Sequence, residues 1–260
     1  MNSLPKISII IPSYNKVNFI EDTLESIFSQ NYPNLEVIIQ DGGSTDGTLE
    51  IIKKYAKKYP YLIWKSEKDE GQLDASNKGF DEATGDVVTF INADYVYTKG
   101  TLKKVGEYFS MHPKALWLAG KGEIIDRKGK VISSWVSDYK NFLLAINHYS
   151  LLMVVNYLMQ PSVFLSRKAY LKYGPFTGTK TSVMEYDLWL RLGRVKMPNV
   201  IKKCLSGFRM SGENISSKLF KETLKADDKI VEKYTDNPVI LVLHYLHNIA
   251  RVILAQLVEK

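Results

Sequence analysis

The sequence predicts an α/β fold: a doubly wound, mostly parallel sheet flanked by helices, with a helical appendage at the C-terminus. Three observations carry that reading. Residues 7–11 (ISIII), 35–40 (LEVIIQ) and 86–91 (DVVTFI) are continuous apolar runs rich in β-branched residues. Such runs suit strands buried on both faces, the habit of parallel sheets. Between them apolar residues recur at helical spacing, so strand and helix alternate over roughly residues 5–100. The chain has 260 residues, 45% apolar and 24% charged, which suits one large domain with an appendage and argues against disorder.

The elements follow in order. Strand 7–11 runs into Pro12–Ser13–Tyr14–Asn15. Residues 18–30 place Ile20, Leu24, Ile27 and Phe28 on one helix face. Strand 35–40 ends at Asp41–Gly42–Gly43, and Ser44–Thr45–Asp46 caps a helix over 46–58 carrying Leu49, Ile52 and Tyr55 on one side. Asp46 is read as a cap, and lysines 53, 54, 57 and 58 as a solvated face. The alternation places a further strand before a third helix at 72–83. Strand 86–91 then leads into Asn92–Ala93–Asp94–Tyr95.

The second half is less regular. Residues 101–111 read as a helix, and residues 115–135 as two strand-like runs around the turn signal Asp126–Arg127–Lys128–Gly129. Residues 138–159 are apolar without a clear period, 162–166 read as a strand and 185–194 as a short helix. No repeat or low-complexity linker divides the chain. Residues 238–258 are strongly apolar and about long enough to span a bilayer, but His244, His247, Asn248, Arg251 and Gln256 interrupt them. Those polar residues fall mostly on one face. The segment therefore reads as a helix packed on its own domain or in a dimer interface, with an in-plane membrane helix as the alternative.

The net charge of +7 and pI near 9.1 favour anionic partners: nucleotide diphosphates, anionic headgroups or nucleic acid. Nucleic acid would rest on charge alone and is not expected. The single Cys204 rules out an intrachain disulfide and suits a reducing compartment, where it reads as a small buried hydrophobe. The N-terminus reads as a first strand and not as a signal peptide, so a cytoplasmic location is expected.

Three polar loops follow the clearest strands, and in a parallel sheet they share one edge, where ligands bind. Singly, Asp-Gly-Gly is a tight turn and Pro12–Ser13–Tyr14–Asn15 a capping turn. Jointly they offer a Tyr14 ring to stack on a base and an Asp41 carboxylate to accept a base N–H or ribose hydroxyl. Asp94 is a hard oxygen donor suited to Mg²⁺ or Mn²⁺. No G-x-G-x-x-G follows the first strand, which disfavours a dehydrogenase.

Five ordered motifs extend this pattern: ISIIIPSYNK (7–16), VIIQDGGSTDGT (37–48), SEKDEGQLDASNKGFDEATGDVVTFINADYVY (66–97), YLMQPSVFLSRKAYLKYGPF (157–176) and MEYDLWLRL (184–192). GFRMSGENIS (207–216) is a weaker echo. On these residues the chain resembles the family 2 glycosyltransferases, which have the Rossmann-like GT-A fold. The resemblance implies a GT-A domain over 1–217, with a nucleotide-binding half (1–100) and an acceptor-binding half (101–217), followed by a helical extension over 218–260.

It also implies roles. Pro12, Tyr14 and Asn15 would line the nucleotide pocket, and Asp41 would recognise base or ribose. Asp69, Gly71, Gln72 and Asn77 would close over the nucleotide and donor sugar. Asn92 and Ala93 precede Asp94 in a DxD-type motif, in which Asp94 would hold the divalent ion. Asp187 would be the catalytic base, and Glu185, Trp189 and Arg209 would stand on the acceptor side. Glu185 and Asp187 are two apart and do not share a helix face, so they would do different jobs. The competing reading of Asp187 is a helix cap.

The implied reaction is an inverting, single-sugar transfer from a nucleotide sugar, UDP-linked first, to a glycan or lipid-linked acceptor. Peripheral membrane contact through 236–260 and a homo-oligomer are compatible with it. Three departures stand out: Asn92 replaces an Asp, Tyr95 stands where relatives often have a second Asp, and Ser211 where they often carry His. The contact of that His near the diphosphate would be either lost or replaced by Arg209. The Gln-x-x-Arg-Trp signature of processive enzymes is absent after Asp187. A nucleotide-sugar-binding scaffold without activity is the alternative. Trp117, Trp135 and Tyr139 are read as core packing over a sugar-stacking platform, and His244 and His247 are not expected to bind metal.

Overall fold

The computed structural model describes residues 3–132, 135–178, 183–211 and 220–258. Strand β1 (Ile7–Ser13), helix α1 (Ile20–Phe28), β2 (Leu35–Asp41), α2 (Thr48–Lys58), β3 (Leu62–Ser66), α3 (Gln72–Glu82) and β4 (Val87–Phe90) alternate as expected. Strands β1 to β4 run parallel in the order β3-β2-β1-β4, so their carboxyl ends share one edge.

Both faces of this sheet are buried, which explains the unbroken apolar runs. Ile7, Ile9 and Ile11 of β1 pack with Ile20 and Leu24 of α1 and Ile52 of α2. Ile10 points the other way, into a core with Phe80 of α3 and Phe90 of β4. Helix α3 lies close on β1, since a Cβ on Gly79 would stand 2.5 Å from Ile10 Cγ2. At the amino end of the strands, buried Glu36 accepts from Lys6 Nζ (2.6 Å), Ser8 Oγ (2.5 Å), Thr84 N (2.9 Å) and Thr84 Oγ1 (2.7 Å). Burial opposes its ionisation, but these donors outweigh it and pull the carboxyl down to about 2.

The second half continues the sheet with β5 (Val96–Tyr97), α4 (Thr101–Met111), β6 (Trp117–Ile125), α5 (Trp135–Ile146), α6 (Tyr149–Val154), β7 (Val163–Ser166), α7 (Arg167–Tyr173), α8 (Met184–Val195) and β8 (Asn199–Arg209). The complete order is β3-β2-β1-β4-β7-β6-β8-β5. Here pairing is mixed: β7 is antiparallel to β4 and β6, while β6 and β8 are parallel.

The predicted second strand near 130 does not form among the described residues. The 126–129 turn is present, but the returning chain makes only an Ile125–Val131 bridge, and a helix begins at Trp135. Val131 and Ile132 are exposed, so no core face rewards extending the pairing. Cys204 is only half-buried.

Helices α9 (Phe220–Val231) and α10 (Pro238–Val258) form the extension. The polar face of α10 is the one that docks: buried His244 meets Val154 O at 3.1 Å, and buried Asn248 donates to Asp228 Oδ1 at 2.8 Å. Val242, Leu246, Ile249 and Ile253 face outward. Among the described residues no helix is long and apolar enough to cross a membrane.

Candidate active site

The loops after β1 and β2 are laced together. Asp41, 2% exposed, accepts on Oδ2 from Gly43 N (3.1 Å), Ser44 N (2.8 Å) and Ser66 Oγ (2.8 Å), and on Oδ1 from Ser44 Oγ (2.6 Å). Ser44 Oγ also accepts from Asn15 N at 2.8 Å, and Asn15 Oδ1 accepts from Thr45 N at 3.0 Å. Asn15 holds φ +50°, a left-handed conformation that Asn tolerates. Pro12 is buried in β1, while Tyr14 stands out at 60% exposure, with its ring face open for stacking. Asp46 accepts from Thr48 N (3.0 Å), Thr48 Oγ1 (2.5 Å) and Val17 N (3.1 Å), but α2 begins at Thr48 with Gly47 as its cap residue, so Asp46 holds the turn before the helix and is not its cap.

The segment after β3 folds over this loop. A Cβ on Gly42 would stand 2.9 Å from Asp69 Oδ2, so the Asp69 carboxylate lies directly against the Gly42 backbone. Asp69 Oδ1 accepts from Gly71 N at 2.8 Å, and Gly71 takes φ +110° as α3 begins. Gln72 Nε2 donates to Asn92 Oδ1 at 2.7 Å, joining α3 to the loop after β4. Asn77 exchanges hydrogen bonds with Phe176 N and O, both 3.0 Å, and so ties α3 to the loop that follows α7.

Ala93 and Asp94 are buried within the loop after β4, Asp94 with 2% exposure. Lys16 Nζ lies 2.7 Å from Asp94 Oδ2. Arg209, fully buried, donates from Nε to the Asp94 carbonyl (2.8 Å), from Nη1 to Arg127 O (2.7 Å) and from Nη2 to Asp22 Oδ2 (2.9 Å). That guanidinium ties the Asp94 loop to the Arg127 turn and to α1. Ser211 is itself buried, with its carbonyl accepting from Arg127 Nη1 at 2.9 Å.

Among the described residues no three His, Cys, Asp or Glu side chains group to hold a metal. The donor chemistry still fits a hard divalent ion: one rigid carboxylate, already facing a cation in Lys16, with further oxygens left to phosphates and water.

Asp187 occupies the first turn of α8 at 5% exposure, inside the helix and not at its cap. Oδ2 accepts from Thr177 Oγ1 (2.8 Å) and pairs with Arg191 Nε (3.0 Å). Oδ1 accepts from Tyr234 Oη at 2.9 Å, and Lys233 Nζ lies 4.0 Å away. Glu185 is half-buried in the same turn, and burial pushes its carboxyl up to about 7. Beside it burial, with Arg251, brings the Lys140 amine down to about 8, and burial raises Asp227 to about 7. Trp189 is buried and stacks on Trp117 at 5.6 Å, a core contact that keeps its ring from the surface. Trp117 is thus core, Trp135 is exposed and Tyr139 lies against His247, so the three rings share no platform.

Lys16, Thr177, Arg191 and Tyr234 were not singled out from sequence. Lys16 closes the first motif and was within reach. Tyr234 lies 47 residues from Asp187 with no local pattern linking them.

Residues 8–168, more than half of the chain, match the glycosyl transferase family 2 profile. The chain belongs to that family. It is 42% identical over 94 residues to the uncharacterised glycosyltransferase YibD of Escherichia coli K12, covering 36% of this chain and 27% of that protein. It is 38% identical over 109 residues to the putative teichuronic acid biosynthesis glycosyltransferase TuaG of Bacillus subtilis, covering 41% and 43%. These matches span less than half of either relative. The mannosyltransferase PcManGT of Pyrobaculum calidifontis, in complex with GDP-Man and Mn²⁺, superposes with a TM-score of 0.70 at 20% identity, over 95% of this chain and 71% of that one. Staphylococcus aureus TarS 1-349 with UDP-GlcNAc gives 0.64 at 19% identity, over 88% and 71%. The shared architecture is the GT-A fold.

Proposed function

We propose that this chain is an inverting glycosyltransferase that moves one sugar from a nucleotide diphosphate to an acceptor hydroxyl, with a Mn²⁺ or Mg²⁺ ion held through Asp94. The observation that carries this is Asp94: its carboxylate is buried beside Lys16 Nζ, its backbone carbonyl is held by Arg209, and it stands on the edge where the carboxyl ends of four parallel strands converge. Tyr14 stacks on the base, and the Asp41 loop frames base and ribose. Asp187 takes the acceptor proton as the oxygen attacks the anomeric carbon. The bond to the diphosphate breaks on the opposite face, so configuration inverts without a sugar–enzyme intermediate. When bound, the ion supplies Lewis-acid stabilisation of charge on the departing diphosphate. UDP-sugars are the first donors to try, supported by the UDP-GlcNAc complex of TarS, and GDP-mannose is the second, from PcManGT.

The acceptor is a glycan or a lipid-linked glycan. The outward apolar stripe of α10 supports peripheral membrane contact, consistent with the charge of +7. Removing 236–260 should abolish co-sedimentation with anionic vesicles, and unchanged co-sedimentation would reject that contact. The main test is donor hydrolysis and transfer with Mn²⁺, before and after EDTA, for wild type and Asp94→Asn. Full-rate turnover in EDTA would sink the role of Asp94. The dense pairing of Asp187 favours one second reading, a binding scaffold without turnover. Nucleotide-sugar-dependent thermal stabilisation with no product under any metal would select it.

A further inference from the structure

The helical extension reaches into the candidate site through Tyr234, with the exposed Lys233 ammonium 4.0 Å from the same Asp187 oxygen. Tyr234 lies in the turn between α9 and α10, with its hydroxyl 2.9 Å from Asp187 Oδ1 and 3.2 Å from the Asp187 carbonyl. Burial and the neighbouring Asp187 charge hold its phenol well above its ordinary range, so it stays protonated and acts as a donor. The turn is fixed on both sides. Tyr234 N donates to Val231 O (2.9 Å) and Lys233 N to Ile230 O (3.1 Å), and Ile230 and Val231 are core residues. Beyond it, Asn237 Oδ1 accepts from Val239 N at 2.9 Å as α10 begins. The phenol is therefore presented from a packed frame. Thr177 and Arg191 hold the other carboxylate oxygen, so Tyr234 alone supplies a hydroxyl donor to Oδ1 among the contacts described above.

We propose that Tyr234 is a positioning residue: it fixes the rotamer of Asp187 and leaves one lone-pair direction of Oδ1 for the acceptor hydroxyl. The extension over 218–260 is then a working part of the site, although the family match ends at residue 168. This rests on the reading of Asp187 as the base.

The test is a cycle of Tyr234→Phe, Asp187→Asn and the double variant in the full chain. Hydrolysis of UDP-GlcNAc and of GDP-mannose with Mn²⁺ gives kcat and donor KM, and thermal melts give Tm. Tyr234→Phe should lose about tenfold in kcat while donor KM stays within about twofold. The double variant should be no slower than Asp187→Asn, and the two Tm losses should sum to more than the loss of the double variant. A merely structural tyrosine would lower Tm without splitting kcat from KM. Wild-type kcat in Tyr234→Phe overturns the proposal, as do fully additive Tm losses. If neither donor is turned over, fully additive Tm losses still overturn the proposal. If Asp187→Asn keeps the wild-type rate, the base reading fails, while non-additive melts would still show the two residues coupled.

Discussion

Replacing Asp41 by Asn separates two roles that the fold has merged. The side chain keeps its shape, but the three donors on Oδ2, from Gly43, Ser44 and Ser66, lose a charged acceptor. Hydrogen bonds to a charged group contribute about 1.5–3 kcal/mol and neutral ones about 0.5–1.5. Each of the three therefore weakens by about 1 kcal/mol, and the carboxylate is too buried for water to compensate. Ser44 Oγ, which donates to Oδ1, can turn to accept from the new amide. The expected loss is about 3 kcal/mol, read as a drop in the urea midpoint with unchanged slope. If the loop frames the base as proposed, thermal stabilisation by UDP should vanish in the same variant. A variant within about 0.5 kcal/mol of wild type would refute the argument that Asp41 organises the loop. Wild-type stability with lost UDP binding would make Asp41 a ligand contact only.

Other perturbations test other parts of the fold. Glu36 has its carboxyl pulled down to about 2 from 4.5, so its ion pair and hydrogen bonds contribute about 3 kcal/mol above pH 4.5 and lose it as pH falls toward 2. The stability gap between wild type and Glu36→Gln should shrink by about half or more between pH 7 and pH 3, and a constant gap in melts would contradict this. Gly79→Ala should cost about 1–3 kcal/mol in urea unfolding, because the new methyl meets Ile10, and a neutral result would mean α3 shifts freely on β1. Arg209→Met removes the brace beneath Asp94 and should weaken Mn²⁺-dependent stabilisation by UDP at least about tenfold in apparent affinity. Unchanged Mn²⁺ titrations would show that the loop holds itself.

The nucleotide half was legible because its signals are local. An unbroken run such as Ile7–Ile11 reports burial on both faces, and the loops that follow β1, β2 and β4 meet because parallel strands put their ends together. The roles inside those loops were less visible. The hydrogen bonds of Asn77 to Phe176 and of Arg209 to the Asp94 carbonyl have no signature in the sequence. Both are polar residues whose partners lie about a hundred positions away, 99 for Asn77 and 115 for Arg209. The second half resisted reading for a related reason. Strand β8 carries Lys202, Lys203 and Cys204 amid its apolar residues, which blurs its period, and the polar stripe of α10 faces inward against Val154 and Asp228.

The Arg209 brace has a consequence for biosynthesis. It joins Asp22, Asp94 and Arg127 to a residue on β8, the last strand to leave the ribosome. A nascent chain can lay down β1 to β4 early, since each of these strands has a partner made before residue 91 and only the outer edge of β4 waits for β7. The Asp94 loop acquires its underpinning only once residue 209 has emerged and folded back. Unfinished chains thus carry the first four strands without the Arg209 contact to the Asp94 loop, and closing contacts of such long range makes the last step the slow one.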